Sequence, residues 1–232
     1  ATLNQLMERD ADALMRRTAL RPLPAGRMPA LNALVFGMFL SVGGGLYLLL
    51  TVNALTSFLA MATLATYLLI YTPLKKKTPW CTFFGAFPGA MPPLIGWAGA
   101  TGSLAREAWV LYAILFLWQF PHFLAIAWMY REDYSRAGLQ MLPKNDFDGV
   151  ATFRKIMAYS LLLLPVSLLP TWMGQAGILY LVGAVLLGLM YIHAGARLAA
   201  AKSNALAKRL LLASVVYLPL VFALLMLDKS SA

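Results

Sequence analysis

Seven apolar runs follow one another along this chain, each about the length a helix needs to cross a bilayer. At 1.5 Å of rise per residue, roughly 20 mainly apolar residues span the hydrocarbon layer. The runs cover 30–50, 53–74, 81–100, 108–130, 156–173, 176–198 and 210–227. Backbone groups in hydrocarbon must satisfy one another, so runs of this length are expected as helices. The second run follows the first with almost no loop, which predicts an antiparallel pair. The third holds Gly85, Pro88, Gly89, Pro92, Pro93 and Gly96. It is expected to be kinked or partly unwound, against protein or a cavity. The fold class expected is all-α, a polytopic transmembrane helix bundle.

Composition excludes the other broad classes. Of 232 residues, 61% are hydrophobic and 12% charged, with a mean hydropathy of +0.71. Soluble domains are about half apolar and a quarter charged, and a chain this apolar cannot cover itself in water. The net charge of +10 is too thinly spread for a nucleic-acid groove, so no nucleic-acid partner is expected. The single cysteine, Cys81, allows neither an intrachain disulfide nor a cysteine metal cluster. Residues 1–29 are polar and basic, so no signal peptide is expected to open the chain.

The basic residues test the helix count. Arg9, Arg16, Arg17, Arg21 and Arg27 precede the first run. Lys75, Lys76 and Lys77 follow the second. Arg131, Arg136, Lys144, Arg154 and Lys155 follow the fourth, and Arg197, Lys202, Lys208 and Arg209 the sixth. With seven crossings these segments share one side, which carries 17 of the 19 Lys and Arg and leaves Arg106 and Lys229 opposite. That asymmetry marks the side as cytoplasmic. The same side holds Glu8, Asp10, Asp12, Glu132, Asp133, Asp146 and Asp148, seven of the nine acids. The positive-inside rule does not place acids, so their concentration needs another cause.

Two clusters supply candidates. Asn4, Glu8 and Asp12 are spaced i, i+4, i+8, which on a helix makes one oxygen-rich stripe about 12 Å long. Such hard oxygen ligands suit Mg²⁺. Arg17 and Arg21 lie just beyond, and guanidinium groups pair bidentately with phosphate oxygens. Mg²⁺ commonly takes one or two carboxylates plus substrate phosphates, so acids and arginines together suggest a diphosphate ligand. The second cluster is Arg131-Glu132-Asp133-Tyr134-Ser135-Arg136, beside the end of the fourth run. Either cluster taken alone is also explained by a solvated helix end with ordinary ion pairs.

The run NQLMERDADALMRRTALRPL (4–23) resembles the first Asp-rich motif of the UbiA superfamily of intramembrane prenyltransferases. More narrowly, it resembles that of the protoheme IX farnesyltransferases (heme O synthases). YTPLKKKTPW (71–80), GAMPPLIGW (89–97), WQFPHFLAIAWMYREDYSRAGLQMLP (118–143) and SVVYLPLVFALL (214–225) agree with that subfamily, in order along the whole chain.

The resemblance implies a reaction: farnesyl diphosphate bound through Mg²⁺, its C1 joined to the 2-vinyl group of heme B, and water completing the side chain of heme O. It implies Asn4, Glu8, Asp12 and Asp133 as metal-binding and catalytic residues. Arg17, Arg21, Lys75, Lys76 and Arg131 would hold the diphosphate, and His122 and Tyr134 are candidate heme contacts; His122 can also be read as a buried polar residue bonded to a neighbouring helix. His193 matches no motif and is expected to pack. The implied partners are farnesyl diphosphate, heme B, the lipid bilayer, and heme A synthase or oxidase assembly proteins. With no transit peptide visible, a bacterial cytoplasmic (inner) membrane is expected, with the active-site loops on the cytoplasmic side.

Two features depart from the subfamily. Cys81 stands where many relatives have Asn. The family has nine spanning helices and its first motif ends the second of them, so this chain is expected to be a single prenyltransferase domain, 1–232, lacking its first two helices. Other readings are a UbiA enzyme acting on an aromatic quinone precursor, or a membrane transporter. The strings RTALRPL and REDYSRAG oppose the first. Transporters place ionisable residues near the midplane, whereas here the acids cluster at one interface.

The topology makes a direct prediction. Single cysteines introduced into each of the four basic segments, in a Cys81→Ser background, should be unreactive to an impermeant thiol reagent added to intact cells. Labelling of any one of them from outside would break the count of seven.

Overall fold

The computed structural model describes residues 2–143 and 145–229; Lys144, counted above among the basic residues, lies outside them. The described residues are helical throughout apart from turns and one isolated bridge. Six helices are long and apolar enough to span a membrane: α3 (Ala30–Thr51), α4 extended to Leu74, α8 (Arg106–Met129), α10 (Val150–Trp172), α11 (Ile178–Ala201) and α12 (Asn204–Leu227). The protein is an integral membrane protein. Its chain forms two compact units. One comprises the described residues up to Leu104 together with Tyr130–Met141, and the other Ala105–Met129 with the described residues from Leu142 onward.

The first unit begins with α1 (Thr2–Met7) and α2 (Arg9–Leu14). They meet at Glu8, whose φ of −102° and ψ of 9° leave the helical region. The i+4 ladder survives, with Glu8 N–H donating to the Asn4 carbonyl (2.9 Å) and Asp12 N–H to the Glu8 carbonyl (2.7 Å). Asn4, Glu8 and Asp12 therefore share a face, and that face is buried. A merely solvated helix end would turn these residues to water.

α3 and α4 (Ala54–Thr66) form the expected pair, joined at Val52 and Asn53. Asn53 caps α4 by accepting from Thr56 N–H at 2.8 Å, and Ser57 Oγ donates to the Gly45 carbonyl at 2.8 Å. The second spanning helix loosens into a π-helical turn at Tyr67–Tyr71 before α5 (Thr72–Leu74). Such turns widen the helix by one residue and often occur at functional sites.

The Gly- and Pro-rich third run is the expected broken crossing. It forms α6 (Cys81–Gly89) and α7 (Pro92–Thr101), interrupted at Ala90 and Met91. Pro92 lacks the N–H that would continue the ladder. Asn53 Nδ2, at the start of α4, donates to the Ala98 carbonyl at 2.8 Å. Gly85 meets Tyr71, near the other end of the same helix. The broken pair thus runs antiparallel along the second helix; of the seven expected runs, six form single helices long and apolar enough to span, and the third is this broken pair.

In the second unit α8, α10, α11 and α12 each pack on two neighbours, closing a four-helix ring. Buried tyrosines hold its centre. Tyr217 OH lies 2.6 Å from Ser167 Oγ, Tyr180 OH donates to the Ser167 carbonyl at 2.7 Å, and Tyr191 OH to the Trp118 carbonyl at 3.0 Å. α10 and α12 begin six residues earlier than their apolar runs. Their extra turns carry Arg154, Lys155, Lys208 and Arg209, so the helices extend beyond the apolar layer.

Gly85 gives a stability test. A Cβ there would lie 2.5 Å from a Tyr71 ring carbon, whereas one at Gly96 meets nothing within 4 Å. Gly85→Ala should lower the melting temperature in detergent through overpacking of about 1–3 kcal/mol. Gly96→Ala should raise it slightly, by up to about 1 kcal/mol of helix propensity. Equal effects would show that the α6–α4 contact is loose.

Candidate active site

A connected set of polar side chains lies in the first unit around the buried face of α1 and α2. Glu8 is at its centre. Asn4 Nδ2 donates to Glu8 Oε2 at 2.9 Å, and Lys75 Nζ donates to the same oxygen at 3.1 Å. Lys75 Nζ also lies 2.9 Å from Glu8 Oε1. That second contact is charge pairing without hydrogen-bond direction, so buried Oε1 has no hydrogen-bond partner. Both side chains are nearly enclosed, 8% exposed for Glu8 and 11% for Lys75. The ammonium sits 4.5 Å over the Tyr71 ring, a cation–π contact that lowers the cost of taking it from water.

Thr72 orients the amide. Its Oγ1 lies 2.9 Å from both Asn4 Oδ1 and the Tyr67 carbonyl at the head of the π turn. The Asn4 oxygen is therefore turned to a hydroxyl donor and its nitrogen to the carboxylate. Asp12 forms the second pair, with Arg21 NH1 2.9 Å from Oδ2. Thr18 Oγ1 donates to the Asp12 carbonyl at 2.9 Å, holding the turn that follows α2.

The second cluster forms α9 (Arg131–Arg136). Asp133 is buried and paired with Arg136 three residues on, while Glu132 is exposed. Tyr134 is buried and faces Arg17, whose NH2 donates to the phenol oxygen at 3.2 Å. The guanidinium carbon lies 5.0 Å from the Tyr130 ring centre and 5.7 Å from that of Tyr134. Burial raises the Tyr134 pKa above that of a free phenol, and Glu8, Tyr130 and Asp133 act in the same direction against the nearby Arg17 charge. Tyr134 thus keeps its proton.

Gly138, at φ +68°, ends α9 in the left-handed conformation that glycine adopts without strain. The chain then returns to the lysine segment. Gln140 N–H donates to the Lys75 carbonyl at 2.6 Å, and its side-chain amide to the Lys76 carbonyl at 3.3 Å. Those bonds fix the backbone from which Lys75 reaches Glu8.

The structure gathers Asn4, Glu8, Asp12, Arg17, Arg21, Lys75, Asp133 and Tyr134 into one unit. Lys76 is exposed and contributes its carbonyl to this framework; Arg131 opens α9 and is half-buried. Among the described residues no three His, Cys, Asp or Glu side chains converge as a metal cluster, so Asp133 does not complete one with Glu8 and Asp12. The donor set still fits one hard cation. Two carboxylates and an amide share a face, Glu8 Oε1 accepts no hydrogen bond although the Lys75 ammonium lies 2.9 Å from it, and such cations commonly complete their shell with phosphate and water. Sequence reasoning gave no role to Thr72, Tyr130 and Gln140, and it placed Arg136 only within the second cluster. Thr72 lies inside the string 71–80 and the other three inside 118–143, but nothing in their spacing signals a contact.

His122 belongs to the second unit. Its Nδ1 lies 2.7 Å from Ser214 Oγ, and Ser214 donates its own proton to the Leu211 carbonyl at 2.6 Å. With that proton on the Leu211 carbonyl, the hydroxyl would accept from Nδ1–H, the tautomer that leaves Nε2 with its lone pair. Trp118 stacks on the imidazole at 4.7 Å. His193, expected to pack, is exposed on α11.

The sequence model of the UbiA prenyltransferase family matches residues 1–225. A Solibacter usitatus protein named protoheme IX farnesyltransferase is 55% identical over 229 residues, covering 99% of this chain and 78% of the relative. Proteins of the same name from Koribacter versatilis and Thiobacillus denitrificans are 48% and 46% identical, over 99% and 98% of this chain and 76% of each relative. A solved structure described as digeranylgeranylglyceryl phosphate synthase has the same fold. Its TM-score is 0.77 at 19% identity, over 98% of this chain and 79% of that one.

The Glu8–Lys75 pair makes a prediction independent of any substrate. Removing one partner of a buried pair strands the other's charge, at about 3–5 kcal/mol, whereas removing both can be nearly neutral. Lys75→Met should therefore lower the melting temperature in detergent, and Glu8→Gln with Lys75→Met should recover most of the loss. Additive losses would show that the two charges are not coupled.

Proposed function

The chain belongs to the UbiA prenyltransferase family, and from that membership we propose that it transfers the farnesyl group of farnesyl diphosphate to the 2-vinyl group of heme B, giving heme O. Relatives named protoheme IX farnesyltransferase, 40–55% identical over nearly the whole chain, support this choice of substrates. The observation that carries it is the buried Asn4–Glu8–Asp12 face, with Lys75 and Arg21 on its carboxylates and Arg17 held beside it.

In the reaction the C1–O bond of farnesyl diphosphate breaks and its electron pair leaves with the diphosphate. C1 bonds to the terminal vinyl carbon, water oxygen bonds to the inner vinyl carbon, and one water proton is released. Asn4, Glu8 and Asp12 would hold Mg²⁺, which when bound supplies positive charge to the departing diphosphate. Asp133 is proposed as a more distant contributor to that charge balance. Arg17, Arg21, Lys75, Lys76 and Arg131 supply the remaining positive charge. Lys75 and Arg21 neutralise Glu8 and Asp12 in the resting protein. They exchange those carboxylates for phosphate oxygens as the substrate arrives, so neither set of charges is left unpaired. His122, with its Nε2 lone pair, is proposed to meet the heme iron or a propionate. The basic loops are proposed to face the cytoplasm of a bacterium, in its inner membrane.

The test uses membranes holding the full-length protein, supplied with heme B, farnesyl diphosphate and Mg²⁺, with mass spectrometry for heme O. Product should form, stop on addition of EDTA and return with excess Mg²⁺. Asp12→Ala or Glu8→Ala should lower the rate at least about 100-fold, the scale of losing electrostatic stabilisation of a leaving group. Absence of heme O from the unaltered protein refutes the substrate assignment. Full activity in both variants refutes the metal assignment.

A further inference from the structure

We propose that Tyr130 and Tyr134 are positioning residues that hold Arg17 as a pre-set receptor for the diphosphate; the substrate named rests on the reading above. Arg17 differs from the carboxylate-paired cations of the site. Lys75, Arg21 and Arg136 each pair with a carboxylate, on Glu8, Asp12 and Asp133. Arg17 makes no ion pair among the described residues. Two aromatic rings hold it instead, 5.0 and 5.7 Å from the guanidinium carbon, with one hydrogen bond from NH2 to Tyr134 OH at 3.2 Å.

The chemistry of that arrangement favours an anion. A carboxylate partner would take two of the five guanidinium donors and cancel its charge. Ring faces fix the guanidinium while leaving the charge and the remaining donors available. Tyr134 OH accepts from Arg17, so its own proton stays free to donate as well. The side chain of Arg17 remains exposed while Tyr134 is buried. The rings thus form a fixed floor and the guanidinium an accessible surface. Tyr130 follows α8 as the N-cap of α9 and Tyr134 lies one helical turn on, its N–H donating to the Tyr130 carbonyl at 3.0 Å, so four-residue spacing presents both rings to one arginine. This assigns Tyr134 to the diphosphate rather than to heme.

The experiment measures binding of inorganic diphosphate, with Mg²⁺, to the purified full-length protein by calorimetry, alongside KM for farnesyl diphosphate and for heme B. Tyr134→Phe, Tyr130→Leu and Arg17→Ala are each made singly, and each tyrosine variant is repeated in the Arg17→Ala background. Tyr134→Phe and Tyr130→Leu should each weaken diphosphate binding about five- to tenfold, the scale of one charged hydrogen bond or a partly desolvated cation–π contact. KM for farnesyl diphosphate should rise with it and KM for heme B should not. In the Arg17→Ala background both effects should vanish. The proposal is overturned if the tyrosine effects persist without Arg17, if Tyr134→Phe changes KM for heme B instead, or if the unaltered protein does not bind diphosphate. Diphosphate binding that depends on the cradle, without any heme O formed, would sustain this inference while refuting heme B as the acceptor.

Discussion

The buried pair between Glu8 and Lys75 is the constraint around which the first unit is arranged. A carboxylate and an ammonium, each about nine-tenths enclosed, cost several kcal/mol apiece to remove from water. Their attraction offsets that only where further polar groups complete the shell. The first unit provides those groups. Asn4 supplies a second donor to Glu8, Thr72 turns Asn4, and the π turn places Thr72 under the Tyr67 carbonyl. Tyr71, within that turn, gives the ammonium an aromatic face. Gln140, arriving after Gly138, fixes the lysine backbone. Three separate stretches of chain converge on one pair, and each has an irregularity that regular helix would not supply: the bend at Glu8, the π turn at Tyr67–Tyr71 and left-handed Gly138.

Those irregularities explain how much was legible in the sequence. The seven apolar runs, the antiparallel pair and the break among Gly85, Pro88 and Pro92 all follow from the solvent, because a bilayer admits few backbone solutions. The stripe of Asn4, Glu8 and Asp12 was legible from helical period alone, even though the helix is bent at Glu8. The partners of that stripe were not legible. Thr72 and Tyr130 enter through tertiary placement, and no local pattern distinguishes a Thr that orients an amide from one that bonds its own helix, as Thr63 does to the Leu59 carbonyl. The helix starts at Val150 and Asn204 were also missed, because hydropathy marks where lipid ends and the helical ladder continues into water.

Four of the seven acids on the basic side now have a physical cause. Positive-inside topology requires lysine and arginine near the helix ends, and it is indifferent to carboxylates. Glu8 and Asp12 are buried against cations from that population, Lys75 and Arg21. Asp133 is spoken for by Arg136 in its own short helix. Asp146 has a structural role, accepting from Ala151 N–H and Thr152 N–H at 2.9 and 2.8 Å where α10 begins. One excess of acids therefore divides into ligand candidates, a local counter-charge and a helix cap.

The same division applies to the cations, and here the sequence is silent in principle. Arg16 and Arg17 are adjacent, identical in type and equally weighted by any topology rule, yet only Arg17 has two tyrosines beside it. A guanidinium paired to a carboxylate is a settled interaction, and an anion must compete for it. A guanidinium held by ring faces is oriented but not neutralised, so an incoming anion gains the full charge without displacing a partner. Arg21 and Lys75 are of the first kind and Arg17 of the second. A site that combines both can attract a multiply charged anion through the open cation first. In the proposed reaction it would then recruit the paired ones as the carboxylates find another counter-charge, leaving no carboxylate buried and unpaired.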